Sequence, residues 1–267
     1  MIPNNKIGVF GCGWLGLPLS KFLLKKKFFI RGSSTNQEKI KELKKHKIEP
    51  YLVELKETGI FGDIDSFLKD LDTLIINIPP KIKNNSDDSY IKKIKFLESK
   101  INYYSIDKVI FISSTSVYGS NQKKIDSKTK PKPNTKRGNE IIKSEKVITK
   151  NNNGTIIRFG GLIGNNRHPV YTLSKKKEVL NPNAPINLIH LDDCINIIYN
   201  VIKKKAWGKI FLGVAPFHPK KINYYNEKCE EFGLKKINFI NKHTSKKEVN
   251  DSKIQSELGY EFIFPKL

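Results

Sequence analysis

The 267-residue chain has few cysteines and no long apolar run. Its three cysteines, Cys12, Cys194 and Cys229, lie far apart without metal-ligand spacing, so neither a disulfide framework nor a metal site is predicted. No apolar stretch is long enough to span a bilayer, and the first residues do not form a basic segment followed by an apolar core and a cleavage site. We therefore expect a cytoplasmic protein that has no membrane partner.

Acidic residues are scarce beside basic ones. The chain has 49 Lys+Arg against 26 Asp+Glu, a formal net charge of +23, which attracts phosphate-bearing molecules from dinucleotides to nucleic acids. The lysines form short clusters along the chain, for example at residues 25–27, 175–177 and 203–205, instead of one basic arm. Without a recognition-helix or RNP-type motif, we interpret the charge as a solvated surface and expect no nucleic-acid partner.

Short apolar runs alternate with amphipathic segments, which is typical of repeated β–α units and of a parallel sheet. In the first half the predicted strands are 6–10, 28–31, 50–54, 73–77 and 108–112. The helices predicted between them are 14–25, 37–46 and 89–101. Further along, the predicted helices are 139–148, 193–203, 223–231 and 251–258, and the strands are 155–158, 186–189 and 209–212. The pattern predicts an α/β doubly wound Rossmann fold with a mostly parallel sheet; residues 119–136, rich in Pro and Lys, predict a long surface loop.

Gly11, Gly13 and Gly16 form a Gly-x-Gly-x-x-Gly loop directly after the first predicted strand and at the start of a predicted helix. This context is that of the dinucleotide-binding fingerprint. The first glycine permits a tight turn, the second lets the backbone approach a pyrophosphate, and the third lets the helix pack against the strand. We predict cofactor contacts from these glycines and from Trp14 and Leu15 between them.

No acidic residue follows the second predicted strand, where NAD-selective proteins carry one for the ribose hydroxyls. Arg31, Ser33, Ser34 and Thr35 stand there instead, with a charge and hydroxyls suited to a 2′-phosphate. We therefore predict these four as cofactor contacts and NADP as the preferred cofactor, with NAD as the alternative. A structural interpretation can hold beside this one, with Arg31 covering the sheet edge and the serines capping the next helix.

The segment SSTSVYG ends the fifth predicted strand at residues 113–119. Together with the glycine loop and, in order, TIIRFGGLIG, INLIHLDD and DSKIQSELGY, it resembles the short-chain dehydrogenase/reductase superfamily in its extended, epimerase/dehydratase-like branch. The Trp-Leu-Gly form of the loop and the INIPP segment are similar to an atypical NAD(P)-dependent subgroup. The resemblance implies cofactor contacts from Ile78, Pro79, Pro80 and Ser113. It also implies an NAD(P)-binding Rossmann domain over residues 1–165 and a smaller, intertwined substrate-binding portion over residues 166–267.

The activity implied by the resemblance is that of an oxidoreductase or an epimerase/dehydratase-like enzyme, on a nucleotide sugar or another hydroxyl or carbonyl compound. In that family a serine positions the substrate, a tyrosine transfers the proton, and a lysine lowers the tyrosine pKa. The serine corresponds to Ser114. Counting back from Glu145 puts Arg137 in the tyrosine place and Ile141 in the lysine place, so both of the usual groups are missing.

Phenol acid/base chemistry near neutral pH needs a neighbouring cation, so an enzyme of this sequence must use another proton donor. Tyr118, His168 and His190 are the alternatives, and Ser114 and Tyr118 are the predicted catalytic residues. Arg167 and His168 follow the sixth predicted strand, so we expect them, with His190, in the substrate cleft. The alternative function is a non-catalytic NAD(P)-binding redox sensor or regulatory protein on the same fold, and we expect a monomer or a homodimer.

Overall fold

The computed structural model describes residues 5–80, 89–150, 154–242 and 247–267. The strands are β1 (Lys6–Phe10), β2 (Phe29–Ser34), β3 (Glu49–Lys56), β4 (Gly59–Gly62), β5 (Thr73–Ile76), β6 (Val109–Ser114), β7 (Lys124–Ile125), β8 (Thr155–Phe159), β9 (Gly161–Ile163), β10 (Val179–Leu180), β11 (Leu188–His190), β12 (Ile210–Gly213), β13 (Phe239–Ile240) and β14 (Glu248–Val249). The helices are α1 (Gly16–Lys25), α2 (Gln37–Lys45), α3 (Ile64–Leu68), α4 (Tyr90–Tyr103), α5 (Lys136–Lys150), α6 (Val170–Leu173), α7 (Leu191–Lys203), α8 (Lys221–Glu231) and α9 (Lys253–Leu258), with a 3₁₀ turn at Thr115–Val117.

One large sheet carries eight strands in the order β12-β8-β6-β5-β1-β2-β3-β4. Neighbouring strands are parallel except for β3 and β4, which form an antiparallel hairpin. The chain order reverses between β1 and β5, and such a reversal opens a crevice at the carboxyl ends of the strands. The predicted doubly wound α/β fold with a mostly parallel sheet is confirmed.

Helices cover both faces of the sheet, which is why its central strands are nearly continuous apolar runs. Every residue of β5 is buried. On one face Leu19 of α1 packs in the same cluster as Ile198 of α7. On the other face Leu97 of α4 and Ile148 of α5 pack together in a second cluster. The core therefore lies in two layers, one on each side of the sheet.

Residues after β8 contribute both to the main sheet and to a smaller lobe. Helix α7 packs in the same core cluster as α1, and β12 pairs with β8 at the edge of the main sheet. The parallel pairs β9/β11 and β10/β13 and the helices α6 and α8 surround a separate cluster that includes Tyr224, Tyr225 and Cys229. Within the described ranges, no helix is long and apolar enough to cross a membrane.

The structure differs from the sequence prediction in several places. Strand β4 and helix α3 were not predicted, because GIFG is too short to show an alternating pattern and becomes a strand by pairing with β3. The predicted loop at 119–136 contains β7, which is held by β14 from more than a hundred residues away. Helix α5 also begins at Lys136, earlier than the predicted residue 139.

Candidate cofactor and active site

Two glycines of the loop after β1 are required by the protein's own backbone. Gly11 has φ +104°, and a Cβ there would lie 2.7 Å from the carbonyl oxygen of Asn77. A Cβ on Gly16 would collide with the carbonyl oxygen of Gly11. The side-chain amide of Asn77 donates to that same Gly11 carbonyl at 2.9 Å. The tight turn and the close helix–strand contact therefore hold as the glycine spacing predicts.

Gly13 is different, because no residue in the described ranges requires a glycine there. A Cβ on Gly13 would meet none of their atoms within 4 Å, so the glycine faces open space. Just beyond it, helix α1 begins without a side-chain cap on Leu15 and without an acidic residue in its first turn. Its N–H groups and the positive end of its dipole are thus available to an anion. These features fit the pyrophosphate of a dinucleotide.

The crevice at the strand reversal holds two adjoining cavities. The first, which we call the β2 cavity, has a volume of about 610 Å³ and lies beside the ends of β2 and β3. The second, the β6 cavity, has about 440 Å³ and lies beside the end of β6 and the start of α5. Both cavities are lined by Gly13, Asn77, Ile78, Pro79 and Tyr90. The glycine loop therefore stands between two halves of one crevice, an arrangement that suits a dinucleotide lying across it.

Ser33, Ser34 and Thr35 line the β2 cavity, as the sequence predicts. The Ser33 hydroxyl accepts the Gly11 N–H at 3.0 Å and so ties the end of β2 to the glycine loop. The Ser34 hydroxyl accepts the N–H of Asn36 at 3.1 Å. Asn36, and not a serine, caps helix α2, because its side-chain oxygen accepts the N–H of Glu38 at 2.7 Å.

Arg31 does not line the β2 cavity. Its Nε pairs with Glu49 at 3.1 Å, and one terminal nitrogen donates to the carbonyls of Ser66, at 3.0 Å, and Lys69. Side chains alternate between the faces of a strand, and Arg31 is turned toward the end of α3. The expected contact between Arg31 and the cofactor is therefore corrected. Two lysines line this cavity, Lys39 in the first turn of α2 and Lys93 of α4, and the sequence analysis missed both.

The β6 cavity contains the predicted Trp14, Leu15, Ile78, Pro79, Pro80, Ser113 and Ser114. The Ser114 hydroxyl accepts the N–H of Ser116 at 3.1 Å and so caps the 3₁₀ turn after β6. Arg137 and Ile141, one helical turn apart on α5, line the same cavity. The structure thus places these two residues beside Ser114, where the family resemblance puts the tyrosine and the lysine.

Tyr118 is not at the cavity. Only 1% of it is exposed, and its phenol oxygen accepts a hydrogen bond from Arg158 at 2.7 Å. Burial raises the pKa of Tyr118, with the Arg158 charge opposing that shift. The predicted catalytic role of Tyr118 is corrected, because a buried phenol behind the cavity wall cannot reach a substrate.

A buried ion pair stands behind that wall. Arg158 of β8 makes two hydrogen bonds to Glu145 of α5, at 2.6 Å and 3.0 Å, and both side chains are almost fully buried. The Ser113 hydroxyl donates to the same carboxylate at 2.5 Å. The network joins the helix that carries Arg137 to the strands beneath the cavity. The sequence analysis missed Arg158, since a lone arginine in an apolar strand carries no local signal of its partner.

The predicted substrate residues lie around a third cavity, of about 330 Å³, which we call the C-terminal cavity. Arg167, His168 and His190 line it, together with Tyr171 and Phe232, whose rings stack at 5.5 Å. Arg167 alone of the three also lines the β6 cavity, where its guanidinium lies 4.9 Å from the Trp14 ring centre.

Neither histidine is placed to transfer a proton in the β6 cavity. His168 Nδ1 accepts the N–H of Val170 at 3.1 Å, and its Nε2 lies 2.8 Å from the Tyr224 hydroxyl. Burial lowers the pKa of His168 to about 4, so the ring is neutral at pH 7. His190 Nδ1 accepts the N–H of Asp192 at 3.3 Å and caps α7. As alternatives for the proton donor, the two histidines are therefore not supported by the lining of the β6 cavity, whereas their contact with a substrate stays a prediction.

Residues 5–146 match the family model described as the UDP-glucose/GDP-mannose dehydrogenase family, NAD binding domain. Protein YeeZ of Escherichia coli strain K12 is 31% identical over 268 residues, which cover 98% of this chain and 97% of that protein. This chain belongs to the YeeZ family. Its first half is an NAD-binding domain of the matched dehydrogenase family and binds a nicotinamide cofactor.

Solved structures share the fold. The UDP-glucuronic acid 4-epimerase of Bacillus cereus, in complex with NAD, superimposes with a TM-score of 0.79 at 19% identity, over 96% of this chain and 93% of that one. A short-chain dehydrogenase/reductase superfamily protein of Agrobacterium tumefaciens with bound NAD has a TM-score of 0.77 at 12% identity, over 96% and 92%. The predicted resemblance to the short-chain dehydrogenase/reductase superfamily is confirmed.

Proposed function

We propose that this member of the YeeZ family is an NAD(P)-dependent oxidoreductase or epimerase/dehydratase-like enzyme that acts on a hydroxyl- or carbonyl-bearing small molecule. The observation that carries the proposal is the continuity of the two cavities, with Gly13 between them and Ser114 in the β6 cavity. The bound cofactor supplies a hydride acceptor or donor. The neighbouring protein that superimposes best among those described above is an epimerase with bound NAD, which supports this class of chemistry.

The residues of the crevice have different roles in the proposed reaction. The N–H groups at the start of α1 would hold the pyrophosphate of the cofactor. Trp14, Ile78 and Pro79 give the β6 cavity apolar walls that would keep water away from a nicotinamide ring. One lone pair of the Ser114 hydroxyl already accepts the Ser116 N–H, so its proton is free to donate to a substrate oxygen.

Turnover is tested with NADPH that carries deuterium at the transferable position of the nicotinamide. The protein is incubated with a panel of carbonyl compounds and sugar nucleotides, and mass spectrometry detects deuterium in the products. A parallel incubation with NADP⁺ is analysed by chromatography for epimers and dehydration products, because an epimerase or dehydratase returns the substrate's own hydride. We expect one product in one of the two incubations, and a loss of about tenfold or more in kcat for Ser114→Ala with an unchanged cofactor Kd. Tight cofactor binding without any product in either incubation would contradict the proposed enzyme activity.

We further propose NADP as the preferred cofactor, on the strength of the hydroxyls of the β2 cavity and of Lys39. Its ammonium group lines the cavity and pairs with Glu42 at 2.7 Å, and it would bind a 2′-phosphate in the place expected of Arg31. Glu54 also lines this cavity and is the group that would favour a free ribose hydroxyl. The balance between Lys39 and Glu54 thus decides the preference.

Calorimetric titration with NADPH and NADH tests this preference. Lys39→Gln should weaken NADPH binding about tenfold and leave NADH binding within about twofold, since only the phosphate loses a charge partner. Lys41→Gln is the matched control, because Lys41 is an exposed lysine of the same helix outside the cavity. Tighter binding of NADH than of NADPH by the unaltered protein would overturn the proposal.

One observation favours a second candidate, a non-catalytic NAD(P)-binding sensor. Among the described residues that line the β6 cavity there is no carboxylate and no histidine. The phenol there, Tyr90, donates to the carbonyl oxygen of Ile78 at 2.8 Å, and burial raises its pKa. The two incubations separate the candidates, because a sensor binds the cofactor and forms neither a deuterated product nor an epimer or dehydration product.

A further inference from the structure

Two positive charges line the β6 cavity without an acidic partner among the described residues. Arg137 and Arg167 form no ion pair there, and both are exposed. Arg167 rests against the ring of Trp14, which contributes a cation–π contact. Within the same described ranges Arg137 makes no comparable contact, so its guanidinium can meet a ligand.

The carboxylate best placed to neutralise Arg137 is already in use. Glu140 lies three residues further along α5, a spacing at which an arginine and a glutamate usually meet. Its Oε2 instead accepts the N–H of Ile91 at 3.0 Å and faces the Ser89 hydroxyl at 3.4 Å, at the start of α4. The positive charge of Arg137 is therefore left uncompensated by its own helix.

The position of Arg137 is unfavourable for the helix itself. It lies in the first turn of α5 beside Lys136, with no acidic residue there, although the positive end of a helix dipole favours acids. The rest of the cavity wall is largely apolar, with Phe111, Ile112 and Phe159 among the residues that line it. Apolar walls concentrate the field of a charge, so this end of the cavity attracts anions.

We propose that the substrate of the β6 cavity is a small carboxylic acid whose carboxylate is bound by Arg137, while Ser114 donates to its neighbouring hydroxyl or carbonyl oxygen. A guanidinium offers two parallel N–H groups to a carboxylate, whereas it cannot serve as the proton donor that a tyrosine provides. The cavity of about 440 Å³ must also admit the nicotinamide ring, which leaves room for a small 2-oxo or 2-hydroxy acid. This inference rests on the proposed function and narrows its substrate class.

Binding without turnover tests the site. Protein saturated with NADP⁺ is titrated calorimetrically with pyruvate and 2-oxoglutarate, with their neutral amides, and with a small phosphate ester. We expect the acids to bind about tenfold more tightly than the amides, and Arg137→Gln to reduce this preference to within about twofold. Arg137→Lys should keep part of the preference for acids over amides, because the charge remains while the paired N–H groups are lost.

Lys143→Gln serves as the control, since Lys143 is an exposed cation of the same helix that does not line the cavity. It should leave the preference for acids unchanged. Thermal unfolding of Arg137→Gln should match that of the unaltered protein, because the side chain is exposed and has no ion pair.

The outcomes separate this inference from the proposed function. If no acid binds at millimolar concentration while NADP⁺ binds normally, or if the phosphate ester binds more tightly than the acids, the carboxylate site is refuted. The carboxylate site is also refuted if Arg137→Gln binds the acids as tightly as the unaltered protein does. If acids bind through Arg137 but neither incubation yields a product, the proposed enzyme activity is refuted and the acid site stands.

Discussion

The β2 cavity and the β6 cavity are two halves of one crevice, yet they are built by different means. In the β2 cavity the essential features belong to the backbone, namely the turn at Gly11, the open space over Gly13 and the uncapped start of α1. In the β6 cavity they belong to side chains. There Ser114 keeps the place that the family resemblance gives it, whereas Arg137 and Ile141 stand where a tyrosine and a lysine are expected.

This difference shows which parts of such a site are free to change. A substitution at Gly11 or Gly16 meets backbone atoms, so the fold itself constrains these positions. Arg137 is exposed, and no packing contact requires a particular residue there. Cofactor binding can therefore persist while the chemistry beside the nicotinamide changes, and the two halves should respond differently to mutation.

The largest effect is expected behind the β6 cavity. Arg158→Met should lower the free energy of unfolding by about 3–5 kcal/mol, because it leaves the Glu145 carboxylate buried without its partner. Urea denaturation measures the loss. The double variant with Glu145→Gln should lose clearly less than the two single variants together, and additive losses would show that the pair is not coupled.

The second effect, expected at Gly13 between the cavities, is a loss of cofactor binding with little change in stability. Gly13→Val should weaken cofactor binding about 100-fold or more, roughly 2.7 kcal/mol, because the new side chain fills the space above the loop. Its thermal unfolding should be nearly unchanged, as a Cβ at this position meets no protein atom. Gly16→Val is the contrasting control and should destabilise the fold. If Gly13→Val bound the cofactor normally, the pyrophosphate would not lie over this glycine.

A smaller effect is expected in the C-terminal lobe and depends on pH. The pKa of His168 is lowered to about 4 in the folded protein, against about 6.5 in the unfolded chain. As the pH falls below about 6.5, His168 therefore becomes protonated in the unfolded chain, whereas in the folded protein it is protonated only near pH 4. The stability that neutral His168 contributes is present above this window and is lost through it.

His168→Gln isolates that contribution, since glutamine keeps a polar group but does not titrate. The stability of the unaltered protein relative to this variant should fall by about 1–2 kcal/mol between pH 7 and pH 4.5, a value reduced for the partial exposure of the ring. Chemical denaturation at both pH values gives the comparison. A constant difference between the two proteins would show that His168 is not held neutral.

The smallest effect is expected at Asn77, which lines both cavities. Asn77→Ala removes the hydrogen bond to the Gly11 carbonyl, which stabilises the conformation of the loop by about 0.5–1.5 kcal/mol. We expect cofactor affinity to fall about threefold to tenfold, measured by calorimetry with NADPH and with NADH. A change in the affinity for NADPH alone, or for NADH alone, would show that Asn77 does not act through the glycine loop that both cofactors share.

The sequence predicted the elements of the crevice better than the orientation of its side chains. The glycine spacing and the apolar periodicity of β1, β5 and β6 are local patterns, and they led to the fold and to the loop. Arg31 and Lys39 show the limit of that reasoning. Both are cations near the end of β2, and only the packing of α3 against the sheet turns Arg31 toward carbonyl oxygens and leaves Lys39 at the cavity.

By itself, then, the sequence determined the doubly wound fold, the glycine loop, and the absence of the usual tyrosine and lysine, because each depends on residue types at short, regular spacing. Only the tertiary structure decided that Tyr118 is buried against Arg158 and that His168 is paired with Tyr224. It also showed that Arg137 lines a largely apolar cavity without an acidic partner among the described residues. Burial and pairing arise between residues far apart in the chain, and the energy of a charged group depends on those distant neighbours.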